Sequence, residues 1–283
     1  MVLTNKSIFR ILLSLFLAFS GSLGSMGQEV LMGDKNILSD YDIRIKQFNE
    51  FIDRFNFLTD FKGEKVTPEF KLKVNRSEYL KILFNLQDSR LLKDKSSFSQ
   101  EYRDMILEFI RQVSNDSIYI SKYSDKIIAN AKTRIKYKNE PKDIAMYLNR
   151  EVLTKNRIKW VIVSVYADFL DIVKEDTTMV RFIPPNSHEL DFMNVKRAMD
   201  DKDYLVDYAK TGYTYDPLSV FFFNIKNGTI VMDYVSEVEY FIFDVPGWCI
   251  KIKDFNRSGS NSGWLIDNIW KTNDEPIHFL NSL

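Results

Sequence analysis

The apolar period of this chain switches once, from three-and-four to two, and that switch restricts its architecture more than any motif does. Before Val113, apolar residues recur at helical spacing in three blocks: Ile43, Ile45, Phe48, Phe51, Ile52 and Phe55; Tyr79, Leu80, Ile82, Leu83 and Leu86; and Phe98, Tyr102, Met105, Ile106, Phe109 and Ile110. Spacings of three and four stack side chains on one helix face, so three amphipathic helices are predicted, the first capped by Ser39 or Asp40. The polar stretch 57–74, with Gly63 and Pro68, reads as a long connection.

From Asp116 the pattern alternates. A brief strand is predicted at 118–123, a firmer one over 126–138, and a strand over 157–169 that is apolar on both faces. Pro141 stands where a helix would start and predicts a short one through Ile144, Tyr147, Leu148 and Val152. After a region opened by Pro184 and Pro185, 218–225 reads as a strand, Asn227-Gly228 as a tight hairpin turn, and 229–244, 249–255 and 264–270 as further strands. Helices first and an antiparallel meander last predict an α+β fold, with N-terminal helices packed on a curved, mainly antiparallel sheet.

The first 27 residues read as an export signal. Lys6 and Arg10 precede an apolar run from Ile11 to Phe19, and Ser25-Met26-Gly27 supplies small residues for cleavage before Gln28. The run is about half the roughly 20 residues that a membrane-spanning helix needs, so no stable span is expected once the signal is removed. The expected organisation is a signal peptide (1–27), a flexible leader (28–38), one α+β domain over 39–271 with an insertion around 171–217, and a C-terminal tail (272–283). The expected location is the periplasm or the exterior.

Without Lys6 and Arg10 the chain carries 37 basic and 39 acidic residues, a balance that argues against nucleic acid or anionic lipid as partner. One stretch, 122–159, holds eleven basic residues against four acidic and reads as a solvated face of strands and a helix. A single cysteine, Cys249, rules out an internal disulfide and a thiolate metal cluster. No paired-histidine spacing, nucleophile elbow or phosphate loop occurs, so neither metal nor cofactor is expected.

The stretch Phe51-Ile52-Asp53-Arg54-Phe55-Asn56, followed by Thr59-Asp60-Phe61-Lys62-Gly63, is similar to uncharacterised exported proteins of the Bacteroidetes, and the order of elements resembles an NTF2-like domain. The resemblance implies a sheet wrapped as a cone around a pocket. Members of that fold include enzymes, transport adaptors and accessory modules, so it implies no activity.

Two functional readings follow. In the first, a non-enzymatic exported module binds a small ligand, a peptide or an envelope protein through Trp248, Trp264, Trp270 and Tyr240, with Trp264 and Trp270 placed on one face by their matching parity. In the second, a pocket hydrolase or isomerase uses Asp168 as general base, Tyr166 as an oriented donor and His188 as partner, because Asp168 shares a strand face with Trp160 and Tyr166. Asp233, Glu237 and Glu239 share parity on the long strand, where solvent-facing carboxylates would keep a sheet soluble.

Overall fold

The computed structural model describes residues 44–91, 97–154, 157–170, 200 and 216–280. The expected signal, leader, helix cap at Ser39 or Asp40, His188 and all of the insertion except residues 200, 216 and 217 therefore lie outside the described residues. Among those described are strand β1 (Arg44–Ile45), helices α1 (Phe48–Phe55), α2 (Pro68–Lys73), α3 (Arg76–Lys81) and α4 (Ser97–Asn115), and strands β2 (Ile127–Tyr137), β3 (Glu140–Thr154) and β4 (Arg157–Tyr166). Helix α5 (Pro217–Lys226), strands β5 (Ile230–Ile242), β6 (Trp248–Phe255) and β7 (Ser262–Lys271), and helix α6 (Pro276–Leu280) complete an α+β chain. Its strands form one mixed sheet in the order β1-β7-β6-β5-β2-β3-β4. The two-residue β1 runs parallel to β7, while β5, β6 and β7 form an antiparallel meander.

Contacts group the described residues into two compact units, with boundaries inside β2, β3, β4 and β5: those within 44–131, 147–162 and 237–280 make the first, those within 132–146 and 163–236 the second. In the first unit, Phe51, Ile52 and Phe55 of α1, Leu80 of α3, and Ile106, Phe109 and Ile110 of α4 join Ile242, Ile250, Ile252 and Ile269 in one buried core. Alternation puts the intervening strand residues on the opposite face, where Phe241 and Cys249 meet Ile128, Phe279 and Leu280. The expected C-terminal tail is thus a structural element: α6 covers that face. In the second unit Ile135, Ile144, Val165, Leu170, Phe221 and Ile230 are buried, Tyr137 stacks on Phe169 at 4.3 Å, and Arg134 pairs with Asp143 at 2.7 Å.

Four local expectations are corrected. The connection over 57–74 contains α2, opened by Pro68 and capped by the Thr67 hydroxyl, which accepts from the Phe70 amide. The helical spacing that runs from Tyr79 to Leu86 gives a helix that starts with an Asn75 cap but ends at Lys81: Ile82 and Leu83 turn, and the chain then bridges to β7, the Ile266 amide donating to the Leu83 carbonyl and the Asn85 amide to the Ile266 carbonyl. The segment opened by Pro141 is strand β3. Lys138 and Asn139 both adopt positive φ, 52° and 69°, forming a two-residue hairpin turn, and Pro141 sits beside it, where a strand tolerates proline.

The last correction is α5, expected to be a strand. Asp216 caps it, its carboxylate accepting from the Leu218 and Ser219 amides, and Pro217 takes the first turn. Asn227 has φ −87°, which excludes the hairpin turn read there; Gly228, at φ 72°, instead donates to the Ile225 carbonyl and closes the helix. Phe221 is buried whereas Phe222 and Phe223 are exposed.

The stretch that carries the sequence resemblance has a structural role. Arg54, 1% exposed, donates to the Phe61 carbonyl and to Glu50 at 2.7 Å. Asn56 pairs with the backbone of Ile120 through both ends of its amide, Asp53 pairs with Lys122, and Asp60 accepts from the Lys62 and Glu64 amides. Four of the eleven cations of the stretch 122–159 are ion-paired, in Lys122–Asp53, Arg134–Asp143, Lys142–Glu140 and Lys159–Glu151.

Candidate functional site

The first unit contains a cavity of about 650 Å³ beside α6. Three local features build it. The Pro246-Gly247 turn joins β5 to β6, with Gly247 at φ 80° and its carbonyl accepting from the Thr272 amide beyond β7. The Phe243 amide donates to the Lys126 carbonyl, holding the end of β5 against the start of β2. Finally, Thr272 accepts from the Asp274 amide and shapes the lead into α6, whose Phe279 ring meets Phe243 at 6.0 Å and Trp270 at 5.9 Å, both edge-on.

Buried Ile128, Val245 and Trp248 and half-buried Phe243 and Ile277 supply the apolar lining; Asp125, Lys126, Asn149, Asn273, Asp274 and Glu275 supply its polar part. The Trp248 indole is fixed, donating to the Gln112 side chain at 2.8 Å and lying edge-on to Phe109. Such a volume fits a small organic molecule, and the lining sets apolar side chains beside a comparable share of polar ones.

Asp244, between the lining residues Phe243 and Val245, accepts from the Ser124 hydroxyl at 2.7 Å, while its other oxygen is buried with no hydrogen-bond partner. Burial pushes its carboxyl above the usual aspartate range, opposed by the Ser124 hydrogen bond and by Lys126 and Arg150. A raised carboxyl pKa means that the fold holds a proton the unfolded chain releases, so stability falls as pH rises from the unfolded value toward the folded one. Asp244→Asn is expected to raise the melting temperature more at pH 7 than at pH 4; an equal shift at both would refute this.

A second cluster, on the helix-covered face of the sheet, surrounds Arg150. Its guanidinium is buried, donates to the Lys122 carbonyl at 2.8 Å, and lies 4.7 Å from the Trp160 ring centre and 5.6 Å from that of Phe48. Tyr240 stacks on Phe48 at 3.8 Å and lies 5.1 Å from Trp264 and 6.1 Å from Trp160. Burial pushes the tyrosine hydroxyl up and the guanidinium down. The cluster binds α1 to the sheet, with Arg150 and Phe48 buried and Trp160 exposed at its edge.

The four tryptophan and tyrosine candidates therefore separate. Trp248 lines the cavity, Tyr240 and Trp264 belong to the Arg150 cluster, and Trp270 packs against Phe241 and Phe279 on the α6 side. Trp264 and Trp270 do not share a face despite matching parity, because Lys251 pairs with Asn268 and Ile252 with Ile266, leaving Asp267 as an extra residue that inverts the alternation.

Asp168 is not on a strand face. β4 stops at Tyr166, and 168–170 form a single 3₁₀ turn in which Asp168 is exposed; Tyr166 is 58% exposed, and neither lines the cavity. Glu239, expected in solvent, is 3% exposed and pairs with Lys251 at 2.8 Å, and Glu237 pairs with Lys253. Cys249 is buried, which pushes its thiol up and away from reactivity.

Sequence reasoning missed Asn149, Phe243, Asn273, Asp274, Glu275 and Ile277 as lining residues. The local signal was the Pro246-Gly247 turn; what brings it near α6 is tertiary. Among the described residues, no group of histidine, cysteine and carboxylate side chains is placed to hold a metal ion, and no helix is long and apolar enough to cross a membrane. No family model, curated protein or solved structure matches this chain.

Proposed function

We propose that this protein is an exported binding module, released at Gln28, whose site is the cavity beside α6 and whose ligand is a small molecule. The cavity carries the reading: about 650 Å³, with a mixed lining in which apolar side chains, Trp248 among them, stand beside polar groups from the start of β2, from β3 and from the approach to α6. An NTF2-like domain is the finer fold reading, supported by leading helices on one face of a largely antiparallel sheet. A bound envelope protein is the competing occupant; a concave site built into one unit favours the small molecule.

The test is a thermal-shift screen of the protein against a library of small organic compounds, repeated on Asn273→Trp. Asn273 is an exposed lining residue, so the indole is expected to fill the cavity while leaving the core intact. Hits should stabilise the native chain and lose their effect on the variant. A screen without hits, or hits that stabilise the variant equally, would overturn the reading. For export, mass spectrometry of protein secreted by a signal-processing host should show Gln28 at the N-terminus; a chain retaining residues 1–27 would refute it.

A further inference from the structure

We infer that the ligand of this cavity is an organic cation with an apolar body, such as an alkyl- or aryl-ammonium compound; the inference rests on reading the cavity as a binding site. The lining carries three carboxylates, Asp125, Asp274 and Glu275, and one cation, Lys126. Several other carboxylates of the first unit are neutralised by ion pairs: Glu50 by Arg54, Asp53 by Lys122, Asp88 by Arg90, and Glu108 by Lys271.

Among the described residues, none of the three lining carboxylates makes an ion pair or accepts a hydrogen bond. The one-turn helix α6 does not occupy them either: the Phe279 amide bonds to the Glu275 backbone carbonyl, and the Asp274 amide to the Thr272 hydroxyl. The cavity therefore carries a net excess of two negative charges beside the apolar side chains of Phe243, Trp248 and Ile277. Such an excess of negative charge favours cations and repels anions, and salt screens it.

The carboxylates are not gathered tightly enough to hold a metal ion, whereas a molecule that fills the volume can place an ammonium near them and its hydrocarbon against the rings. Lys126 does not cancel the excess, and its charge also acts on Asp244, behind the lining.

Isothermal titration of the full chain at low salt tests this with three probes of similar shape: 2-phenylethylammonium, 2-phenylethanol and 3-phenylpropionate. The ammonium should bind at least about tenfold more tightly than the carboxylate, and the preference should shrink at high salt. Asp125→Asn, Asp274→Asn and Glu275→Gln combined should weaken the ammonium about tenfold while leaving the alcohol unchanged, the sum of three exposed pairings each worth a fraction of that factor. All three are surface substitutions, so folding is retained. If the alcohol or carboxylate binds as tightly as the ammonium, or the triple variant binds it unchanged, the cation assignment falls while the cavity reading stands. If no probe binds, or binding survives Asn273→Trp, the cavity reading falls and the assignment with it.

Discussion

Gly263→Ala is expected to destabilise the protein by more than about 4 kcal/mol, at the severe end for a single substitution. Gly263 has φ 82°, and a Cβ there would lie 2.0 Å from the Ile45 carbonyl oxygen, 2.7 Å from its carbon and 2.9 Å from the Ile45 nitrogen. These are backbone atoms, so no side-chain rotation relieves the clash. The only escape separates β1 from β7, whose register pairs Arg44 with Ser262 and Ile45 with Gly263, and pulls fully buried Ile45 from the core. Gly259→Ala is the control: φ is 95° but nothing lies within 4 Å, so only backbone strain of about 1–2 kcal/mol is expected. Urea unfolding of the two variants separates strain from clash; a Gly263→Ala loss no larger than that of Gly259→Ala would refute the argument.

The second large effect is expected two residues earlier. The Asn261 side-chain amide donates to the Ile82 carbonyl at 2.9 Å and the Phe84 carbonyl at 2.8 Å, and its oxygen accepts from the Leu86 amide at 2.9 Å and from Arg257. One side chain thus bonds the segment after α3 to the start of β7. Removing it leaves two buried carbonyls and a buried amide unpaired, and at about 1–3 kcal/mol for each such group Asn261→Ala should cost several kcal/mol. Asparagine also tolerates the left-handed backbone here, φ 57°, better than alanine does. Asn261→Asp should be nearly as damaging, since a carboxylate retains the acceptor but faces the Ile82 and Phe84 carbonyls with no donor. Aspartate restoring most of the stability would show that those two bonds contribute little.

The candidate site was less legible than the elements around it. Trp248 was identifiable as an aromatic at a strand start, but Tyr240, Trp264 and Trp270 were grouped with it by parity and composition. Parity fails across β7 because Asp267 is inserted into the pairing with β6, and nothing in Ile266-Asp267-Asn268 signals a bulge. Asp168 was misread for a related reason: alternation continues through Ala167 on paper, although the strand stops at Tyr166. At α5 the Asn227-Gly228 pair reads as a hairpin turn and makes 218–225 a strand, whereas the Asp216-Pro217 cap carries the helix signal.

What the sequence determined by itself is the set of elements whose signals are local. The amphipathic spacing of α1 and α4 and the alternation of β2 and β6 each depend on residues within a few positions of one another. Tertiary structure decided what depends on partners distant in the chain: the early end of α3, where Leu83 and Asn85 bond to Ile266; the close approach of Ile45 that demands glycine at 263; and the cavity, which exists only because Asp125, Asn149, Phe243 and Asp274 are drawn together. Helix and strand periods arise from backbone geometry repeated every few residues, whereas a cavity is space enclosed by elements far apart in the chain, and no local pattern encodes which of them will meet.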